Sequence, residues 1–139
     1  MIPKFRVYNK TTKLMYPVKF ISYPLRTVRC INKHGLYLSE ETFYLTREEI
    51  VLMQSTGLFD KNGVEIFDGD IVLTTRFIGR ADENGGFYEY EKEYKGVVRM
   101  LEGAWVIGTG KDAVDLWTEI DENEVIGNVW ENPELLERG

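Results

Sequence analysis

Cysteine and histidine are nearly missing: the 139 residues hold one of each, Cys30 and His34. A lone cysteine excludes an intramolecular disulfide, and eighteen aromatics beside it favour strands and packing over metal chemistry. His34 stands in the turn Asn32-Lys33-His34-Gly35 with no metal-type spacing around it, and reads as a solvated turn residue rather than a ligand or base. Cys30, beside Arg29 in an expected strand, reads as a buried, inert thiol. No apolar run approaches the ~18 residues of a membrane helix and no secretory leader opens the sequence, so a soluble cytoplasmic protein is expected. The pattern Gly-x-Ser-x-Gly is missing, which removes a nucleophile elbow, and the glycines lack phosphate-loop spacing. Acidic residues are missing from residues 1–39, which carry eight Lys and Arg; the other hundred hold nine basic and twenty-three acidic side chains. Lys4, Arg6, Lys13, Lys19, Arg26, Arg29 and Lys33 are therefore candidates for a phosphate-binding face. The competing reading lays the basic and acidic regions against each other, within one chain or between subunits. It needs no external ligand, and a net charge of −6 repels nucleic acid at long range.

What the chain holds in quantity is turn chemistry and short apolar runs. Hydrophobic residues make up 43% and aromatics 13%, enough to bury a core without staples. The stretch 53–72 concentrates three turn signals, Thr56-Gly57, Asn62-Gly63 and Asp68-Gly69. Asp60-Lys61-Asn62-Gly63 reads as a hairpin turn, with Gly63 in the left-handed position of a bulge or with a two-residue turn at Asn62-Gly63. Before it, alternation predicts strands over 5–8, 13–21, 26–31 and 36–45. Lys4, Arg6 and Tyr8 share one face of the first; Leu14, Tyr16, Val18 and Phe20 share one side of the second. The two form a hairpin with basic residues on its exposed face, and Pro17 argues for an edge strand or a bulge. Thr46-Arg47-Glu48-Glu49 has the form of a capping box, so one helical turn is expected at 46–50 and then a strand through Gln54. Further strands are expected over 71–78, 95–101, 104–107 and 124–130, with a short one starting at Leu116-Trp117. Asn132 is expected to cap a C-terminal helical turn with Pro133 at its first position. The sequence shows no internal repeat. The expected fold class is mainly β, α+β at most. It comprises a basic N-terminal antiparallel β subdomain over 1–50 and an SH3-like small β-barrel over 51–139, or both as one compact domain.

Residues 87–94 follow a Gly-, Asp-, Glu- and Asn-rich loop at 79–86 and alternate: Tyr88, Tyr90, Lys92 and Tyr94 against Phe87, Glu89, Glu91 and Glu93. This is one arm of a protruding hairpin. Its aromatics Phe87, Tyr88, Tyr90 and Tyr94 suit base stacking or burial against a neighbouring subunit, and the glutamates, which repel phosphate, favour the second. Asp60, Asp68 and Asp70 cluster near the turn-rich stretch and read as turn caps rather than metal ligands or an acid–base set. An EF-hand is excluded because Gly63 follows Asp60 by three residues instead of five. No catalytic, cofactor-binding or metal residue is assigned.

Leu52-Met53-Gln54-Ser55-Thr56-Gly57-Leu58 with Asp60-Lys61-Asn62-Gly63, then Ile66-Phe67-Asp68-Gly69-Asp70-Ile71-Val72, resembles the signature of the YopX-like family of phage and prophage proteins. Phe5-Arg6-Val7-Tyr8-Asn9 with Met15-Tyr16 resembles that family's start. Val125-Ile126-Gly127-Asn128-Val129-Trp130-Glu131-Asn132-Pro133-Glu134-Leu135-Leu136 resembles its end. The resemblance spans nearly the whole chain; Ser55 replaces an expected aromatic, and 79–93 is a longer, variable insertion. It implies a β-rich fold and a homo-oligomer, and it brings no catalytic residues. The functional expectation is a phage accessory protein, not an enzyme, that contacts itself or a host or phage protein; the alternative is a nucleic-acid-binding module using the basic N-terminal residues.

Overall fold

Alternating apolar residues and closely spaced turns make a chain of strands. The computed structural model describes residues 4–110, 112–116 and 121–137, with the side chain of His34 outside that description. Among them are β1 (Phe5–Asn9), β2 (Leu14–Ser22), β3 (Thr27–His34), β4 (Tyr37–Tyr44), β5 (Ile50–Phe59) and β6 (Glu65–Phe67). There follow β7 (Asp70–Ala81), β8 (Phe87–Leu101), β9 (Ala104–Gly108), β10 (Ala113–Asp115), β11 (Glu122–Asn128) and a 3₁₀ turn at Pro133–Leu136. The protein is mainly β, and its strands form two antiparallel sheets. It divides into two compact units, residues 1–57 and 58–139, with β5 running through the division.

In the first unit the strand order is β4-β3-β2-β1-β5. Val7, Tyr16, Val28, Cys30 and Ile50 are buried together, flanked by Val18, Ile21, Phe43, Leu45 and Leu52. Tyr16 and Phe43 pack as tilted rings with centroids 5.1 Å apart. Several sequence expectations fail here for identifiable reasons. Phe20 does not share a side with Tyr16 and Val18. Val18 faces Cys30 while Phe20 faces Arg29, so Lys19 is the extra residue of a bulge that reverses which side chains point inward. Phe20 is left 48% exposed and Ile21 joins the core. Of the two readings of Pro17 the bulge survives, because β2 is an interior strand. The Arg6–Tyr8 face is not an open basic surface. β1 is central, Arg6 is half-buried, and Tyr8, between Met15 and Val51, is buried. Residues 45–49 form turns, not a helix. Asn9 pairs with Ile50 and Lys10 N–H donates to Glu49 O at 2.8 Å, so β1 recruits this segment into β5. That strand continues past Gln54. Thr56-Gly57 lies inside it rather than in a turn: Gly57 takes φ +77° and donates its N–H to Ser55 Oγ at 3.0 Å.

Cys30 is fully buried, and burial, with the charge of Glu41 adding to it, pushes its thiol up to about 11. Against the ordinary thiol this leaves roughly 100-fold less thiolate at pH 8. Iodoacetamide is therefore expected to alkylate the folded protein at least ~100-fold more slowly than the urea-unfolded chain, as followed by intact mass.

The second unit's sheet has the order β10-β9-β8-β7-β11. Its core gathers Ile66, Val72, Val98, Ile107 and Leu116, with Leu58, Trp105, Val114 and Val125 against them. The sheet is open, not a closed barrel: among the described residues its edges are β10, only three residues long, and β11. Closure needs edge strands that pair along their length. Two expected segments, 87–94 and 95–101, are the single fifteen-residue strand β8, and β7 continues through Ala81, which shortens the loop to 82–86. Leu116 is a core residue after β10 rather than the start of a strand, and Trp117 lies outside the described residues. Pro133 opens the 3₁₀ turn, but Asn132 makes no side-chain cap there; its Oδ1 accepts the Asn128 N–H at 3.2 Å instead.

Candidate functional site

Two of the three acidic residues that a sequence reader would suspect first, Asp60 and Asp70, are turn fasteners. Asp60 Oδ1 accepts the N–H groups of Asn62 (2.8 Å) and Val64 (2.9 Å), and Oδ2 accepts that of Val125 (2.9 Å). Asp60 N–H donates to Val64 O, Gly63 N–H donates to Asp60 O, and Gly63 sits at φ +79°. Only the glycine is left-handed, so this is the three-residue hairpin with a bulge, not the two-residue alternative. The same geometry recurs at Asp82-Glu83-Asn84-Gly85-Gly86. Asp82 Oδ1 accepts from Asn84 (2.9 Å) and Gly86 (2.6 Å), and Gly85 has φ +82°. At the scale of a turn the chain does repeat, and the signal was the pattern Asp-x-Asn-Gly, present at 60–63 and 82–85. Burial raises the Asp60 carboxyl, but the Val125, Val64 and Asn62 N–H groups overcome it and hold the carboxyl below its ordinary value. Asp70, buried, accepts the Phe67 N–H at 2.8 Å. Asp68 differs: burial pushes its carboxyl up. Among the described residues no group of three or more His, Cys, Asp or Glu is placed to hold a metal.

The surface with the most distinctive chemistry is the far end of β7 and β8. These strands pair from Ile71–Val97 to Ala81–Phe87. However, β11 accompanies β7 only along 70–75, and β9 accompanies β8 only along 97–101. Residues 76–81 and 87–92 thus form a two-stranded ribbon beyond the sheet. Strand alternation splits it into two faces. One carries Arg76, Ile78 and Arg80 opposite Lys92, Tyr90 and Tyr88, with Tyr94 at its base. The other carries Phe77, Gly79 and Ala81 opposite Glu91, Glu89 and Phe87. On the first face the Tyr88 and Tyr90 rings lie 6.2 Å apart. Arg76 and Lys92 both sit over Tyr94, at 5.6 and 5.3 Å from its centroid. Arg76 is fixed there by Asp121, whose buried Oδ2 accepts its Nε and Nη2 at 3.0 and 2.9 Å. On the second face the Phe87 ring, 71% exposed, lies across Gly79, where a Cβ would fall 2.6 Å from it. Of the four expected interface aromatics, Tyr88, Tyr90 and Tyr94 share a face and Phe87 is on the opposite one. Arg76 and Arg80 were missed, although they alternate in register with the tyrosines.

The seven basic candidates do not form one surface. Lys4 precedes β1, Arg6 is half-buried in it, and Lys13 closes the β1–β2 turn. Arg26 lies in the β2–β3 turn, so β2, roughly 30 Å long at 3.3 Å per residue, separates it from Lys13. Lys19 and Arg29 do meet, but over Glu40: Lys19 Nζ donates to Glu40 Oε1, and Arg29 Nη1 is 3.7 Å from Oε2 while stacking on Phe20. The Lys19 hydrogen bond, with the charges of Lys19 and Arg29 behind it, holds the Glu40 carboxyl below its ordinary value against a smaller effect of burial. Lys33 lines a separate cavity of about 190 Å3 with Leu14 and Pro17.

Two open antiparallel sheets, Asx-closed turns and a projecting ribbon define a β scaffold in which the buried Asp60 and Asp70 carboxylates are spent on main-chain N–H groups and that of Asp121 on Arg76. The chain belongs to the YopX family: the family described as YopX protein matches residues 4–137. It is similar to the crystal structure of protein EF1440 from Enterococcus faecalis, at 26% identity and a TM-score of 0.63, covering 99% of each chain. No curated protein matches it. No helix among the described residues is long and apolar enough to cross a membrane.

Proposed function

We propose that the protein is a phage or prophage accessory protein of the bacterial cytoplasm, with no enzymatic role, that works through protein contacts made by the β7–β8 ribbon, first with further copies of itself. The observation that carries this reading is the ribbon's pair of unlike faces. Arg80 and Lys92 among tyrosines on one side complement Glu89 and Glu91 beside Phe77 and Phe87 on the other. A two-stranded ribbon is marginal in water and its free edges invite pairing, so it gains most from a partner. Contact between unlike faces is head-to-tail and closes into a ring or extends. The finer architecture is read in the same way, the second unit being an SH3-like small barrel opened by the lengthening of β7 and β8.

Sedimentation of the full chain is expected to give a species larger than the 16.2 kDa monomer. Replacing Tyr88 and Tyr90 together by serine should weaken its association roughly 100-fold or more while leaving the fold intact, since exposed aromatics dominate such contacts. A monomer at all concentrations, with no partner captured from host lysate, would sink the proposal. A second reading, a nucleic-acid-binding module, is favoured by the first unit's nine basic against four acidic side chains. It requires a gel shift that weakens steeply with salt; no shift at low ionic strength removes it.

A further inference from the structure

Arg26 holds a backbone conformation that its residue type disfavours. Its φ is +52°, in the left-handed region where glycine and asparagine are the usual occupants. The turn does not need an arginine side chain. Arg26 N–H donates to Tyr23 O at 3.3 Å and Arg26 O accepts from Leu45 N–H at 2.8 Å, both main-chain bonds that glycine would make as well. An unfavourable backbone conformation kept at a turn points to a use for the side chain. That side chain lines a cavity of about 380 Å3 with Ile21, Ser22, Tyr23, Leu45 and Thr46. The volume is at the lower end of those that hold small molecules. No acidic residue lines the cavity, and among the described residues Arg26 has no ion-pair partner.

We propose that this cavity binds a nucleoside monophosphate group, free or at the 5′ end of a strand. The guanidinium of Arg26 presents its fork to the phosphate, in the geometry that arginine matches better than lysine. Ser22 Oγ accepts the Leu25 N–H at 3.4 Å, which leaves its own proton to donate to a phosphate or sugar oxygen, and Thr46 brings a second hydroxyl. Tyr23, 80% exposed at the rim, offers a face to the base, and Ile21 and Leu45 form the apolar floor. The excess of basic residues in this unit favours the anion.

Amide NMR shifts of the full-length protein test the assignment, with AMP, adenosine, inorganic phosphate and a 5′-phosphorylated thymidine decamer as separate titrants. AMP should give saturable shifts confined to Ser22, Tyr23, Arg26 and Thr46, and phosphate or adenosine alone should bind at least ~5-fold more weakly. Arg26→Gly should weaken AMP roughly 10-fold or more while its Tm is no lower than the wild type's, because the strain has been removed. Arg26→Lys should fall between the two. If the phosphorylated decamer shifts the same amides more tightly than AMP, the bound group is a strand end; if AMP is tighter, it is a free nucleotide. No shift up to about 10 mM AMP overturns the proposal. So does an Arg26→Gly protein that binds as the wild type does, and equal affinity for AMP and phosphate overturns the role of the ring.

Discussion

Replacing Asp60 by alanine is expected to lower the free energy of unfolding by about 3–5 kcal/mol. The side chain is 7% exposed and serves three N–H groups, two in its own turn and one, Val125, on β11. Alanine would leave those donors without their acceptor in a place water reaches poorly. Asp82 is the built-in control. Its turn is the same hydrogen-bond pattern, but it is exposed and binds only its own loop, so Asp82→Ala should cost about 1 kcal/mol. The difference measures the long-range bond and its burial. Asp60→Asn should lie between, at about 2 kcal/mol, because an amide turned to serve Asn62 and Val64 points its NH₂ at the Val125 N–H. The folded-state pKa of Asp60 lies below the unfolded value near ~3.9, so its stabilisation is complete above that pH and is lost as pH falls through the folded value. Urea midpoints of the wild type and Asp60→Asn should therefore converge on acidification and stay apart at pH 7. Asp68 has the opposite sign. Its folded carboxyl is raised by burial, so the charged form is the destabilised one, and Asp68→Asn should leave neutral-pH stability unchanged or higher in the same titrations.

Much of this was legible in the chain because the strands obey a period of two and the turns carry their own chemistry. Asp60-Lys61-Asn62-Gly63 announces a left-handed glycine after an Asx-turn, and the alternation of 87–94 assigns Tyr88, Tyr90, Lys92 and Tyr94 to one face without knowledge of the partner strand. What failed was whatever depends on a neighbour. Lys19 becomes the bulged residue only because Cys30 and Arg29 on β3 set the register of Val18 and Phe20. Thr46 and Glu49 have the spelling of a capping box, yet Ile50 and Val51 pair with Asn9 and Tyr8, and β-branched residues favour that pairing over a helical turn. Glu40 lies twenty-one residues beyond Lys19 in sequence, and its position between Lys19 and Arg29 follows from the β2–β3–β4 meander rather than from any local pattern. The expected basic face was accordingly a count of charges, while the ribbon's faces were a matter of parity. Parity survives folding unless a bulge intervenes, whereas a count does not say where charges end up.

The same distinction between local and neighbour-imposed constraint makes Gly96→Ala the second change of large effect, at about 3 kcal/mol or more, read from urea unfolding and from the yield of folded protein. Nothing in the local sequence marks Gly96, which lies in the middle of β8 as an ordinary extended residue. The strand's face at this point is covered by the end of β9. A Cβ on Gly96 would lie 2.7 Å from the carbonyl carbon of Gly108, closer still to its oxygen, and 2.9 Å from Ile107 Cγ2. Main chain cannot swing aside as a side-chain tip can. Relief means pulling β9 away from the Val97–Gly108 pairing, and Ile107 is one of the fully buried core residues. Gly108→Ala is the matched comparison. There the three atoms nearest the added carbon all belong to the guanidinium end of the exposed Arg99, the closest being Nε at 2.9 Å, and that side chain can rotate into solvent, so a cost below about 1 kcal/mol is expected. Because Gly96 stands where β8 leaves β9 on its way to the ribbon, its loss should also loosen the base that holds Tyr94 and Arg76 in place. A Gly96→Ala protein that still folds should then show weaker self-association than Gly108→Ala at equal concentration, linking the crowding at this glycine to the surface on which the proposed assembly rests.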